Sequence, residues 1–151
     1  MAQYSPEQFS KLLDRFALGF PKAVSDAIFV SAQQLSSDIP GRIFADGGTK
    51  DIDGGQRDYK EGSWKKKREA RGFPTGKVDL IFDGDLKRSP KLFQLQKSVE
   101  LRIVGQKQVE KARGNEDRFP AKVFEASVLE EKNARLAFED ELTDYIQKFF
   151  D

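Results

Sequence analysis

Residues 63–89, SWKKKREARGFPTGKVDLIFDGDLKRS, hold the single Trp of the chain, its densest basic run and a change from helical to extended patterning. Ser63 is placed to cap a short helix over Trp64–Arg71, which Gly72 and Pro74 would stop. Val78, Leu80 and Phe82 then alternate with Asp79 and Ile81 as in a strand, and Gly84 interrupts the alternation. Trp64 is expected to point inward and the cations that follow it outward. Helix and strand signals side by side in one stretch point to an α+β fold.

Upstream, Ser5-Pro6-Glu7 reads as a helix start, with Ser5 as the cap and Pro6 at the first helical position. Phe9, Leu12, Leu13, Phe16, Phe20, Val24, Ala27, Ile28 and Leu35 share one stripe at 100° per residue. An unbroken helix from Pro6 to Asp38 would be about 50 Å long. That exceeds the roughly 35–40 Å width of a compact domain of this size. The expectation is therefore a break at Gly19 and Pro21, giving helices over Pro6–Ala17 and Pro21–Ser37, with Ile39-Pro40-Gly41 as the stop. Between about residues 45 and 62, Asp-Gly-Gly occurs twice, at Asp46-Gly47-Gly48 and Asp53-Gly54-Gly55. Such a segment reads as a flexible loop. Asp46, Asp51 and Asp53 offer oxygen ligands, but their spacing fails the calcium-loop template.

Downstream, Leu92–Gln96 and Val99–Val104 flank Lys97-Ser98 as a β-hairpin. Gln106–Arg113 is a short polar helix ahead of Gly114, followed by a charged loop over Asn115–Arg118. Ser127 can cap a last helix, Val128–Phe149. Phe138, Leu142, Tyr145 and Phe149 fall on one face of that helix, while Leu129 and Leu136 fall on the opposite one. Either its first turn is irregular or the helix lies between its own domain and a neighbour. The expected fold is a single α+β domain over residues 1–151. In it a small antiparallel sheet of three to four strands packs against a long N-terminal helix and a C-terminal helix.

Composition narrows the chemistry. Among 151 residues there is neither Cys nor His, which removes disulfides, thiolate nucleophiles and the commonest general base. Nothing at the N-terminus resembles a signal peptide and no apolar run is long enough for a membrane span, so a soluble cytoplasmic product is expected. Net charge is +1 but uneven: Arg57–Arg71 has seven basic and three acidic residues, Glu125–Asp151 three basic and eight acidic. Candidate contact residues are accordingly Arg57, Lys65, Lys66, Lys67, Arg68 and Arg71 on the basic side. Leu129, Leu136, Glu139 and Asp140 are their counterparts on the last helix. Acid pairs such as Asp83 with Asp85 and Glu139 with Glu141 have no feature that marks a catalytic dyad. Thr75-Gly76-Lys77 continues into Val, so it is no phosphate loop. No catalytic residue, cofactor or metal is expected. The cations after Trp64 allow one binding reading, nucleic acid held by phosphate contacts and stacking on Trp64.

From Gly41 to Ser127 the order of features resembles the tailed-bacteriophage virion-morphogenesis or tail-completion (neck) family. The marks are Arg42 and the Gly/Asp loop, then Ser63-Trp64 with basic residues to Arg71-Gly72. Next come Leu80, Gly84, Leu86 and Ser89, a hairpin closing on Val104-Gly105, and a helix ending at Gly114. Pro120-Ala121-Lys122-Val123-Phe124 and Ser127 ahead of an amphipathic helix complete the series. The resemblance implies a non-enzymatic structural protein of the virion, at the head–tail junction or tail end, assembled in the host cytoplasm. It implies a homo-oligomeric ring, with other neck, tail or connector proteins as partners, incidental contact with phage DNA, and no membrane. A ring is built from two different surfaces of each subunit, and the loop at 45–62 is expected to order on assembly.

Overall fold

The computed structural model describes residues 4–45, 47–60, 62–81, 84–95, 98–117, 119 and 121–150. The capping box forms: Gln8 N–H donates to the Ser5 hydroxyl (3.3 Å) and Ser5 N–H to the Gln8 side chain (2.8 Å). From it runs one continuous helix, α1 (Pro6–Ile43). Its 38 residues span about 57 Å at 1.5 Å each.

The expected break at Gly19 and Pro21 is absent. Pro21 lies on the exposed side of α1, where the Ala17 carbonyl it deprives of an N–H can bond water instead. Gly19 serves packing rather than a break: a Cβ there would lie 2.5 Å from the Tyr145 hydroxyl. Pro40 is likewise inside the helix, which closes when Phe44 N–H donates to the Pro40 carbonyl (2.8 Å). The premise that failed is the compact width, because among the described residues the N-terminal half of α1 packs chiefly on one helix.

That helix is α5 (Val128–Phe150). Ser127 caps it as expected: Glu130 N–H donates to the Ser127 hydroxyl (3.3 Å), and Ser127 N–H to the Glu130 carboxylate (2.7 Å). The two helices pack antiparallel. Arg42 and Asp38 meet Glu130 and Asn133 at one end. At the other, Phe16 meets Tyr145, Phe149 and Phe150, with ring centroids 5.7, 5.3 and 5.2 Å away. Ala23 and Ala27 are buried between these ends, where small side chains let the backbones approach. The first turns of α1 run past the end of α5 and leave Phe9 and Leu13 exposed.

Everything else gathers at the C-terminal end of α1. The remaining elements are α2 (Ser63–Glu69), α3 (Asp85–Arg88), β1 (Pro90–Gln94), β2 (Val99–Ile103) and α4 (Gln106–Glu116). The fold is α+β, but the sheet has two strands among the described residues rather than three to four. β1 and β2 pair antiparallel with Leu92 opposite Leu101 and Gln94 opposite Val99, and they lie against α1. The expected strand around Val78 is reduced to one bridge between Asp58 and Lys77. Beyond it Leu80 adopts φ 50, and Ile81 N–H turns back onto the Asp79 carboxylate (3.0 Å). Gly84, at φ 77, opens α3. Gly114 does not stop α4, which continues to Glu116. There the Glu116 carboxylate accepts from the Val123 and Phe124 amides (3.1 and 3.4 Å).

Ile39, Ile43, Phe44, Leu86, Ala112 and Val123 form the core of this head, with Leu101 and Ile103 packed on it. The loop expected to be flexible is tied into the head. Thr49 and Asp51 are fully buried. Thr49 N–H donates to the Val78 carbonyl (2.7 Å) and Ile52 N–H to the Lys122 carbonyl (2.8 Å). The Asp51 carboxylate accepts from the amides of Asp53 (3.1 Å), Gly55 (2.7 Å) and Ala121 (3.2 Å). Asp46, Phe82, Asp83, Gln96, Lys97, Arg118, Pro120 and Asp151, named above, lie outside the described residues. No helix among the described residues is long and apolar enough to cross a membrane.

Candidate interaction surface

The basic segment departs from expectation at two positions: Trp64 is half exposed and Arg68 is buried, while Lys66, Lys67 and Arg71 face outward as expected. Ser63 is the first residue of α2 rather than its cap, a position that falls on Gly62. Trp64 and Arg68, four residues apart, share a face of the helix. The Arg68 side chain goes inside, 1% exposed, while Trp64 remains 49% exposed. The reason is a matched set of acceptors. Arg68 pairs with Asp79 (2.6 Å) and donates to the carbonyls of Pro74 (3.2 Å) and Ile81. Its guanidinium also lies over the rings of Tyr59 and Phe73, 4.9 and 5.1 Å from their centroids. Charge, hydrogen bonds and ring faces together offset the cost of burying the cation.

Tyr59 completes the cluster by donating its hydroxyl to Asp79 (3.2 Å). Burial first, and then the Asp79 carboxylate, push the Tyr59 hydroxyl above its ordinary value, so it stays protonated as a donor.

Above this cluster opens a cavity of about 680 Å³. Val78 and Leu86 are buried and Leu80 half-buried, so they form its depth; Trp64, Lys60 and Lys111 are exposed and stand at its mouth. Arg57 also lines it. Asp58, at the rim, is held by Lys77 at 2.7 Å. The cavity offers a ligand an apolar depth, aromatic walls and a cationic mouth.

Of the basic candidates, Arg57 and Arg68 come together in this cavity. Lys65 is half-buried, and Lys66, Lys67 and Arg71 are exposed on the rest of the segment. Sequence reasoning missed Tyr59, Lys60 and Lys111. The first two sit in a segment read as unstructured, and Lys111 lies on α4, about forty positions away in the chain. Nothing local in the sequence joins them.

The second set of candidates lies apart. Leu129 is 65% and Leu136 43% exposed on α5, and Glu139 and Asp140 are exposed on the same helix. Glu139 lies 3.7 Å from Arg135. No residue of α5 lines the cavity. Among the described residues no three acidic side chains gather as a metal site, and the Asp51 oxygens accept from three backbone amides.

Compared with protein-family models, curated proteins and solved structures, the chain matches none.

Proposed function

We propose that this chain is a non-enzymatic structural component of a tailed-phage neck, acting in tail completion or head–tail joining and assembling as a ring. The reading rests on the order of features from Gly41 to Ser127. The observation that carries it furthest is the apolar surface left uncovered by a chain with a formed core. Leu18 is 83%, Val128 85% and Leu129 65% exposed. Large apolar side chains held out on rigid helices suit contacts with neighbouring subunits. Several residues that mark the resemblance also hold the head together, which supports reading them as parts of one structural unit. Arg42 reaches Glu130 (2.8 Å) and the carbonyls of Lys50 and Glu125 (both 2.7 Å), so one side chain joins α1, the loop and the start of α5. Leu86 and Val123 are core residues. In this setting the chain works in the virion, after assembly in the host cytoplasm, with other neck, tail or connector proteins as partners.

Native mass across a concentration range, with negative-stain images of the same samples, tests the proposal. Closed rings with a central hole are the expected outcome.

A second reading, a nucleic-acid-binding accessory protein, is favoured by one observation. Trp64 stands at the cavity mouth near Lys60 and Lys111, where a base can stack beside phosphate-binding cations. Monomers at every concentration, together with single-stranded DNA binding that weakens steeply with salt and is lost in K65A/K66A/K67A, would replace the neck reading with this one.

A further inference from the structure

We propose that the cavity between Tyr59, Trp64 and α4 receives the outer face of α5 from a second copy of this chain, with Leu136 as the anchor. The inference rests on the self-assembly proposed above and names the two surfaces that make it. The cavity volume of about 680 Å³ falls within the roughly 300–1,000 Å³ of ordinary binding pockets. It exceeds what one side chain needs. Its depth is apolar through Val78, Leu80 and Leu86, and its mouth is cationic through Arg57, Lys60 and Lys111. The fitting occupant has a bulky apolar side chain followed closely by carboxylates.

The outer face of α5 has that pattern. Leu129 and Leu136 are seven residues apart, two helical turns, and so lie on one side. Glu139 and Asp140 follow Leu136 by three and four positions, which puts both acids one turn beyond it on the same side. The leucines are exposed in the single chain although the opposite face of α5 is packed on α1. The donor face is mixed before Leu136, where Lys132 lies between the two leucines and Arg135 stands 3.7 Å from Glu139, and acidic beyond it at Glu139 and Asp140; that end is the part the basic mouth attracts. Since α5 contributes nothing to the cavity of its own chain, the two surfaces are distinct. Repetition of such a contact gives a ring when the rotation closes and a filament when it does not.

The test uses three full-length proteins in sedimentation velocity over a concentration range: the native chain, Leu136→Asp, and the double variant K60E/K111E. All three positions are exposed, and thermal melts serve as the folding control. If Leu136→Asp misfolds, Asp140→Lys takes its place. The native chain is expected to associate, and each variant alone to be at least tenfold weaker. Each variant still keeps one intact surface, so an equimolar mixture is expected to form a dimer and stop there. The inference is overturned if the native chain stays monomeric, if either variant associates like the native chain, or if the mixture remains monomeric. Rings unchanged by both variants would refute this contact while leaving the neck reading intact. Filaments lost in both variants would keep the contact and refute the neck reading.

Discussion

Asp51 is an acidic residue fully buried in a loop of glycines and charges, and its carboxylate is the acceptor around which that loop closes. Replacing it with Ala strips three backbone amides of their partner. Each unsatisfied buried donor costs about 1–3 kcal/mol, less where water enters. Asp51→Ala should therefore lower unfolding free energy in urea by about 2–4 kcal/mol, and a change below about 0.5 kcal/mol, the scale of a neutral surface substitution, would contradict this role. Tyr59 yields a pH test. Its hydroxyl titrates above the unfolded value near 10, so between the two values the folded chain binds more protons than the unfolded one. Stability from this group is whole below about pH 10 and is lost as pH rises through the folded value. Tyr59→Phe should flatten that part of the alkaline stability profile relative to the native chain. Identical slopes for both proteins would show that Tyr59 ionises freely in the folded state.

At the scale of elements, hydrogen exchange separates the loop from its composition. The amides of Thr49, Ile52 and Gly55 donate to Val78, Lys122 and Asp51, so they should exchange slowly in the isolated chain. Exchange as fast as in an unfolded peptide would instead support a loop that orders only on assembly. The elements legible in the sequence were those whose signals are local. Ser5 and Ser127 announced their helices through cap chemistry, and Val99, Leu101 and Ile103 showed a half-buried strand by alternation. What escaped was decided by residues far apart in the chain. Val78, Leu80 and Phe82 alternate as a strand does, but Asp79 is the partner of Arg68 and draws the backbone into a turn. The same pair draws Arg68 inside, although ordinary burial preferences keep a cation outside. The cavity was illegible for a similar reason: its mouth cations come from a loop and from α4, and only the tertiary fold brings them beside Trp64 of α2.

For the molecule as a whole, the long helix pair makes the shape extended. A compact chain of 151 residues would have a radius of gyration of about 15 Å. Solution scattering from a monomeric variant such as Leu136→Asp should exceed that value and show a maximum dimension near the α1 length of about 57 Å. A radius at the compact value would mean that α1 bends at Pro21 in solution. A compact outline would require α1 to break at Gly19 and Pro21. Neither residue carries information about outline: one faces water, and the other makes room for Tyr145.

The unbroken α1 also acts as a gear. Each residue inserted into it turns the aromatic tip by about 100° relative to the head and advances it about 1.5 Å. A change of three or four residues keeps the tip near its original heading only approximately, while seven bring it back to within about 20°. Because α5 runs alongside in the opposite direction, its length must change in the same step to keep Phe16 against Tyr145, Phe149 and Phe150. The reach of this arm is thus quantised: the chain can lengthen it in paired increments of about two turns, and intermediate lengths point the tip the wrong way.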